Sequence, residues 1–315
     1  VPKPALLQLV PFPQADQAAL DAAFAVHRYF DAPDPAGLLA QVGGQVQAIA
    51  THGGRGVSAE ILGACPAVEI IAIFGVGYDA VDLATCRARG IRVTNTPDVL
   101  TDDVADLAVA MMLALARGVV AADANVRSGA WAATGGPPLR RRVTGARAGI
   151  LGLGRIGSAI AHRCAAFGMP IAYSARSPKD VPATWRFIPD PVALAAQTDH
   201  LFVALAASAD TRHIVGRDVL TALGPEGRVI NISRAANIDE SALLDALEAG
   251  TIAGAALDVF EGEPQVNPRF LPLQNVLLQP HHGSATVETR RAMGQLMRDN
   301  LTAHFAGRPL PNAVV

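Results

Sequence analysis

Apolar residues in this chain fall in short dense runs, and between the runs the apolar positions recur at helical spacing. "ALLQLV" (5–10), "VQAIATHG" (46–53) and "VEIIAIFGVG" (68–77) read as buried strands, the last running into a glycine turn. "AVDLATCRARG" (80–90) reads as a helix stopped by Gly90, and "IRVTNTP" (91–97) as a short strand ended by Pro97. A second series starts near 148, with strands predicted at 148–152, 170–174, 200–205, 228–232, 254–259 and 275–279. Its clearest helices are 155–167 and 239–249. Strands alternating with helices predict an α/β protein with parallel sheets covered on both faces. Between the series, residues 102–129 are too densely apolar for a surface helix, so the first half of this stretch should be buried. A last helical segment, about 286–305, lies beyond the second series and is expected to return to the first.

Composition narrows the class. The chain has 315 residues, half of them hydrophobic and 17% charged, enough to bury two cores. A net charge of −2 gives no reason to expect nucleic acid or an anionic membrane as partner. The three cysteines, Cys65, Cys86 and Cys164, are scattered and form no CxxC, so neither a disulfide framework nor a metal site is expected, and a reducing cytoplasm fits. No secretory h-region and no apolar run of about 18 residues or more is present, so no membrane span is expected.

The chemistry begins at "GILGLGRIGSAIA" (149–161). Gly152, Gly154 and Gly157 form GxGxxG between a predicted strand and a predicted helix, with Arg155 and Ile156 inside the motif. The first glycine permits the tight turn, the second lets backbone approach a pyrophosphate, and the third lets helix and strand pack closely. An NAD site would carry an acid about twenty residues later, at the end of the second strand. Here "AYSARSPK" (172–179) has Ser174 at that point, followed by Arg176, Ser177 and Lys179. An acid would repel a ribose 2′-phosphate. A hydroxyl can donate to it, and a guanidinium can grip it bidentately. The expected cofactor is therefore NADPH/NADP.

Three later segments each place polar residues just after a strand: "VINISRAANIDE" (229–240), "ALDVFEGEP" (256–264) and "LLQPHHGSAT" (277–286). Ligands of open parallel sheets bind beyond the carboxyl ends of strands, so Arg234, Glu263 and either His281 or His282 are expected to converge. Arginine suits a carboxylate, and histidine suits proton transfer near neutrality. In the first series, the Val76–Gly77 turn offers backbone N–H groups to an anion.

In this order, "GLGRIG", "NISRAANIDE", "LDVFEGEP" and "PHHGSAT" resemble the D-isomer-specific 2-hydroxyacid dehydrogenase family, and the likeness runs from about residue 46 to the end. "NTPDVLTDDVADLA" (95–108) and "NLTAHFAGRPLPNAVV" (300–315) resemble its glyoxylate, hydroxypyruvate and hydroxyphenylpyruvate reductase branch. The resemblance implies two Rossmann/flavodoxin-like domains with the active site in the cleft between them. The expected division is 1–98 plus 286–315 for substrate and 99–285 for dinucleotide. It further implies that Arg234 binds the substrate, that His281, directly after the proline, is the general acid/base, and that Glu263 orients that histidine and keeps it protonated. Val76 and Gly77 match the family's substrate-carboxylate loop. Asp258 matches the residue that holds the nicotinamide amide, while Gly283, Thr101 and Val104 are expected beside the ring. Ala235 stands where the family usually has glycine, which predicts a modest backbone adjustment if that position needs positive φ.

The expected activity is NADPH-dependent reduction of hydroxypyruvate or glyoxylate to the D-2-hydroxy acid, by a homodimer joined through the 100–130 region. Bulkier 2-oxo acids such as hydroxyphenylpyruvate or 2-ketogluconate are the alternative substrates. A dinucleotide-sensing, corepressor-like binding protein is the alternative of another class. A formate dehydrogenase of this fold would carry glutamine where Glu263 stands.

Overall fold

The computed structural model describes residues 2–315. The chain divides into two compact units, Val1–Leu100 with Ala285–Val315, and Thr101–Ser284. In the first, β1 (Ala5–Gln8), β2 (Ala25–Arg28), β3 (Val46–His52), β4 (Ile70–Phe74) and β5 (Arg92–Thr94) form a parallel sheet in the order β2-β1-β3-β4-β5. That is the flavodoxin-like order. All five residues of β4 are buried, as a strand covered on both faces requires. The segment predicted to return does so as the helix Val287–Phe305, which packs on β4 and buries Met293, Met297 and Leu301.

In the second unit, β6 (Ala148–Leu151), β7 (Ile171–Ser174), β8 (Arg186–Phe187), β9 (His200–Val203), β10 (Arg228–Asn231), β11 (Gly254–Leu257) and β12 (Val276–Leu278) are ordered β12-β11-β10-β9-β6-β7-β8, again all parallel. Strand order reverses between β6 and β9, the switch point at which Rossmann folds bind nucleotides. Leu151, Leu201, Val203, Val229, Leu243, Leu257 and Phe270 lie in one buried apolar cluster that joins this sheet to its helices.

The apolar stretch 102–129 is not one helix. It breaks at Gly118, at φ 62°, into Thr101–Arg117 and Val119–Arg127, bent by 60°. The first piece packs on the helix Arg155–Ala166 and buries Val104, Val109, Met111 and Met112. The second buries nothing, so the sequence pattern ends where the protein support does. A further short helix, Ala130–Thr134, follows the stretch. The edge strands β2 and β8 also escape the pattern, β2 as four partly exposed residues and β8 as only two. Among the described residues, no single helix is long and apolar enough to cross a membrane, and no cluster of three potential metal ligands exists. The three cysteines are free and buried, and burial pushes the Cys164 thiol up to about 12.

His200 opens β9 with only 3% of its surface exposed, and its Nδ1 has no hydrogen-bond partner. Burial, reinforced by the Arg228 charge and opposed by Asp199, pushes its pKa down from 6.5 to about 4. Between those values the unfolded chain holds the proton and the folded chain does not, so stability falls as pH is lowered through that window. The full loss amounts to about 3 kcal/mol. Urea unfolding between pH 7 and 4.5 should therefore show a steeper loss for the wild type than for His200→Leu. Parallel curves would dismiss His200 as the source.

Candidate active site

The last residues of six strands lie in one row across the second unit's sheet. Ser174 pairs with Leu151, Leu151 with Val203, Val203 with Asn231, Asn231 with Leu257, and Leu257 with Leu278. The chain leaves this row into each segment singled out from the sequence.

After β6 comes the glycine turn. Gly152 sits at φ 98°, and a Cβ there would strike Leu205 and Ala204 within about 3 Å. A Cβ on Gly157 would come within 2.0 Å of the Gly152 carbonyl oxygen, so helix and strand are in contact at this point. Gly154 differs, because a Cβ there would meet nothing within 4 Å. Gly154 is also the N-cap of the twelve-residue helix Arg155–Ala166 and supplies no side-chain cap. The first turn of this helix, at Arg155, Ile156 and Gly157, thus begins beside open space at Gly154 and presents the positive helix end that an anion requires. The turn fits a dinucleotide pyrophosphate.

After β7 the structure alters one expectation. Ser174 is buried, and its hydroxyl donates to the Pro189 carbonyl at 2.9 Å. Its single proton is spent inside the protein, so Ser174 does not serve as a phosphate donor. Arg176, Ser177 and Lys179 are all exposed. The Lys179 backbone N–H donates to the buried Tyr173 hydroxyl at 2.9 Å, which pins the loop and leaves the ammonium outside.

Beyond β10, β11 and β12 lie Arg234, Glu263 and His281. Glu263 Oε2 stands 2.7 Å from His281 Nδ1, while its Oε1 accepts the Phe260 N–H at 2.9 Å. Burial raises the Glu263 pKa, but the hydrogen bond and charge of His281, the Phe260 N–H and the Arg234 charge prevail and hold it below the usual range. Glu263 is therefore ionised and accepts from Nδ1–H, which leaves Nε2 as the ring nitrogen able to serve a ligand. The His281 side chain is 44% exposed. Its backbone lies in the left-handed region at φ 55°, a strained conformation for histidine.

Asp258 explains how that strain is held. Its buried carboxylate accepts the N–H groups of His282 and Gly283, at 2.6 and 2.8 Å. Burial raises its pKa despite those donors. Gly283 is small for an internal reason, since a Cβ there would come within 3.2 Å of both Asp258 Oδ2 and Val104 Cγ2. Val104 is thus packed against Gly283, and Thr101 begins its helix one turn earlier. His282 is exposed at the side chain, and its backbone N–H donates to Asp258.

Arg234 is framed by residues that sequence reasoning passed over. Asn231 Oδ1 accepts from the Ser233 N–H and hydroxyl, at 3.0 and 2.8 Å, and its Nδ2 donates to the Arg234 carbonyl at 3.1 Å. Asn237 Nδ2 donates to Ser233 Oγ and to the Leu205 carbonyl, each at 3.0 Å. The signal was visible as asparagine and serine directly after an apolar strand, where polar side chains must find partners. Arg234 Nη1 also donates to the Ser233 carbonyl at 2.8 Å. The backbone adjustment expected at Ala235 is unnecessary, because Asp98, His213 and His281 are the non-glycine residues at positive φ and Ala235 is not among them. In the first unit, Asn95 Nδ2 donates to the Val76 carbonyl at 2.8 Å and shapes the Val76–Gly77 turn.

The chain as a whole is similar to known proteins. The profile of the D-isomer specific 2-hydroxyacid dehydrogenase NAD binding domain matches residues 109–283. The hydroxyphenylpyruvate reductase of Plectranthus scutellarioides is 45% identical over 311 residues, 98% of each chain. Among solved structures, a 2-hydroxyacid dehydrogenase from Ketogulonicigenium vulgare Y25 is 63% identical, with a TM-score of 0.93 over 100% of this chain and 99% of that one. An NADPH-dependent glyoxylate/hydroxypyruvate reductase from Sinorhizobium meliloti, solved with NADP and malonate, is 40% identical, with a TM-score of 0.91 over 99% and 97%. The profile match covers more than half of the chain and the similarities span nearly all of it, so the chain belongs to the D-isomer specific 2-hydroxyacid dehydrogenase family.

Proposed function

We propose that this protein reduces a small 2-oxo acid, hydroxypyruvate or glyoxylate, to the D-2-hydroxy acid with NADPH as the reductant. The observation that carries the reading is the Glu263–His281 pair, 2.7 Å apart on loops after adjacent strands, with the Arg234 charge felt by Glu263. The Sinorhizobium meliloti relative, an NADPH-dependent glyoxylate/hydroxypyruvate reductase, supports both substrate and cofactor. The hydroxyphenylpyruvate reductase relative supports a bulkier 2-oxo acid as a second substrate.

Bound NADPH supplies the hydride. Arg234 holds the carboxylate and carbonyl oxygen of the 2-oxo acid through its planar fork. His281 gives the Nε2 proton to that oxygen as it becomes an alcohol. Ionised Glu263 keeps Nδ1–H in place, so that Nε2 is the ring nitrogen turned to the substrate oxygen. Asp258 holds the backbone of this histidine loop and, with Thr101, Val104 and Gly283, is assigned to the nicotinamide end. Gly152, Gly154 and Gly157 and the N–H groups at Arg155 and Ile156 take the pyrophosphate. Arg176, Ser177 and Lys179 take the 2′-phosphate, and Ser174 contributes chiefly by not being an acid. Val76 and Gly77 are assigned to a substrate carboxylate through their N–H groups. Exposed Val119, Val120, Val126 and Trp131 support the homodimer expected through the 100–130 region, since such a surface favours a partner.

The first test is the initial rate of hydroxypyruvate reduction at low cofactor, with NADPH and NADH side by side. NADPH should be preferred, and Arg176→Ala should erase about 10- to 100-fold of that preference through the NADPH KM. A native preference for NADH would overturn the phosphate site. Arg234→Ala should lower kcat/KM at least about 100-fold while the NADPH Kd, read by fluorescence, stays unchanged. Full turnover in that variant would end the assignment. The glycines should separate folding from binding. Gly154→Ala should keep the wild-type Tm and lose NADPH affinity, whereas Gly157→Ala should lose about 1–3 kcal/mol of stability even without nucleotide. The reverse pattern in thermal melts with and without NADPH would refute the reading of the turn.

A further inference from the structure

Glu263 sits on a loop that leaves β11 and crosses the sheet edge, Glu261 to Asn267, and most of this loop is exposed. At its base, Phe260 and Phe270 pack edge to face with ring centroids 6.2 Å apart. Between those anchors one side chain from elsewhere grips the loop twice. Glu240, the first residue of the helix Glu240–Glu248, accepts the Glu261 backbone N–H through Oε2 and Asn267 Nδ2 through Oε1, both at 3.1 Å. Asn267 is in turn fixed by its Oδ1, which accepts the Arg269 N–H at 3.1 Å. The grips fall two residues before Glu263 and four after it. Glu240 itself closes the segment that begins at Asn231 and carries Arg234. One carboxylate therefore joins the Arg234 segment to both ends of the Glu263 loop. The other charged groups facing this loop are His213, whose Nε2 lies 3.7 Å from Glu261 Oε1, and Arg234 and His281 beside Glu263.

We propose that Glu240 is a positioning residue. By bridging Glu261 and Asn267 it holds the loop at the register that sets the Glu263 carboxylate against His281 and ties that loop to the segment bearing Arg234. The inference rests on the reductase reading above and names what fixes the geometry of its acid–histidine pair. Exposed loops with few buried contacts open readily, and a displacement of about 1 Å at a reacting group can cost about 100-fold in rate.

The test uses Glu240→Ala, which removes both grips, and Asn267→Ala, which removes one and lies outside the Glu240 helix. Asn267→Ala keeps the test open if Glu240→Ala does not fold. Each is compared with Glu263→Gln. The first readout needs no cofactor. The chain has eight glutamates, few enough for the Glu263 carboxyl to be followed by 13C NMR after selective labelling and identified by its absence in Glu263→Gln. In the wild type it should titrate below the usual glutamate range. In Glu240→Ala, and less so in Asn267→Ala, it should move up toward that range as the contact with His281 slackens. The second readout is turnover. Glu240→Ala should lower kcat about 10- to 100-fold, as outer supports of a reacting group commonly do, with the NADPH Kd unchanged. Glu240→Gln, which retains one acceptor oxygen, should recover part of the loss. A purely structural Glu240 would lower Tm and leave the Glu263 titration where it was, and that result would overturn the proposal. If Glu263→Gln is crippled while Glu240→Ala and Asn267→Ala titrate and turn over like the wild type, only this inference fails. If Glu263→Gln keeps full turnover, the reductase reading fails, and this inference with it.

Discussion

The level termination of six parallel strands is the constraint on which the second unit depends. Ser174, Leu151, Val203, Asn231, Leu257 and Leu278 close their strands in one paired row. Parallel pairing sends every chain out of the sheet on the same edge, so residues far apart in sequence emerge together without any contact designed for each pair. Gly152 leaves the row one residue after Leu151, Arg234 three after Asn231, and His281 three after Leu278. The apolar residues that fix the register thereby also fix the chemistry. Moving a strand by one residue would exchange the side chains it presents to the two covered faces and shift its exit from the row, so the site geometry is as firm as the core.

That scaffold was largely legible in the sequence, because buried parallel strands are short apolar runs and "NISRAANIDE", "LDVFEGEP" and "PHHGSAT" each begin where such a run stops. What escaped depended on partners distant in sequence. The helix break falls at Gly118, in the left-handed region, and how much each side of it buries depends on packing against the helix Arg155–Ala166, which no local pattern records. The edge strands β2 and β8, four and two residues long, are too short and too exposed to carry a periodic signal. Ser174 was correctly seen as the absence of an acid, yet its proton goes to Pro189, fifteen residues on, a pairing that spacing cannot reveal. Ala235 raised concern as a departure from glycine, and its backbone has no positive φ to strain it.

The Ser174 bond also changes how the proposed 2′-phosphate preference must be explained. A buried hydroxyl that already donates to a carbonyl offers a phosphate dianion only oxygen lone pairs, which do not attract it. Discrimination then rests on two electrostatic facts: no carboxylate stands at the strand end, and Arg176 and Lys179 stand just beyond it in solvent. Exposed cations hold an anion through charge-assisted bonds weakened by salt, so the preference for the phosphorylated nucleotide belongs to the loop rather than to the strand.

Two carboxylates on the segment after β11, five residues apart, show how burial divides labour in this site. Asp258 is buried against the sheet edge and its pKa rises, yet two backbone N–H groups occupy its oxygens and hold His281 in a conformation its φ of 55° would otherwise make costly. Glu263 is partly open, and the histidine, a backbone N–H and the Arg234 charge hold it ionised. Exchanging their surroundings would defeat both. A clamp at the position of Glu263 would be loosened by solvent, and an ionised carboxylate at the position of Asp258 would have no ring to orient. The strand end thus supplies a dry clamp first and a wet partner for the histidine second, and the order in which the chain leaves the sheet sets which acid does which.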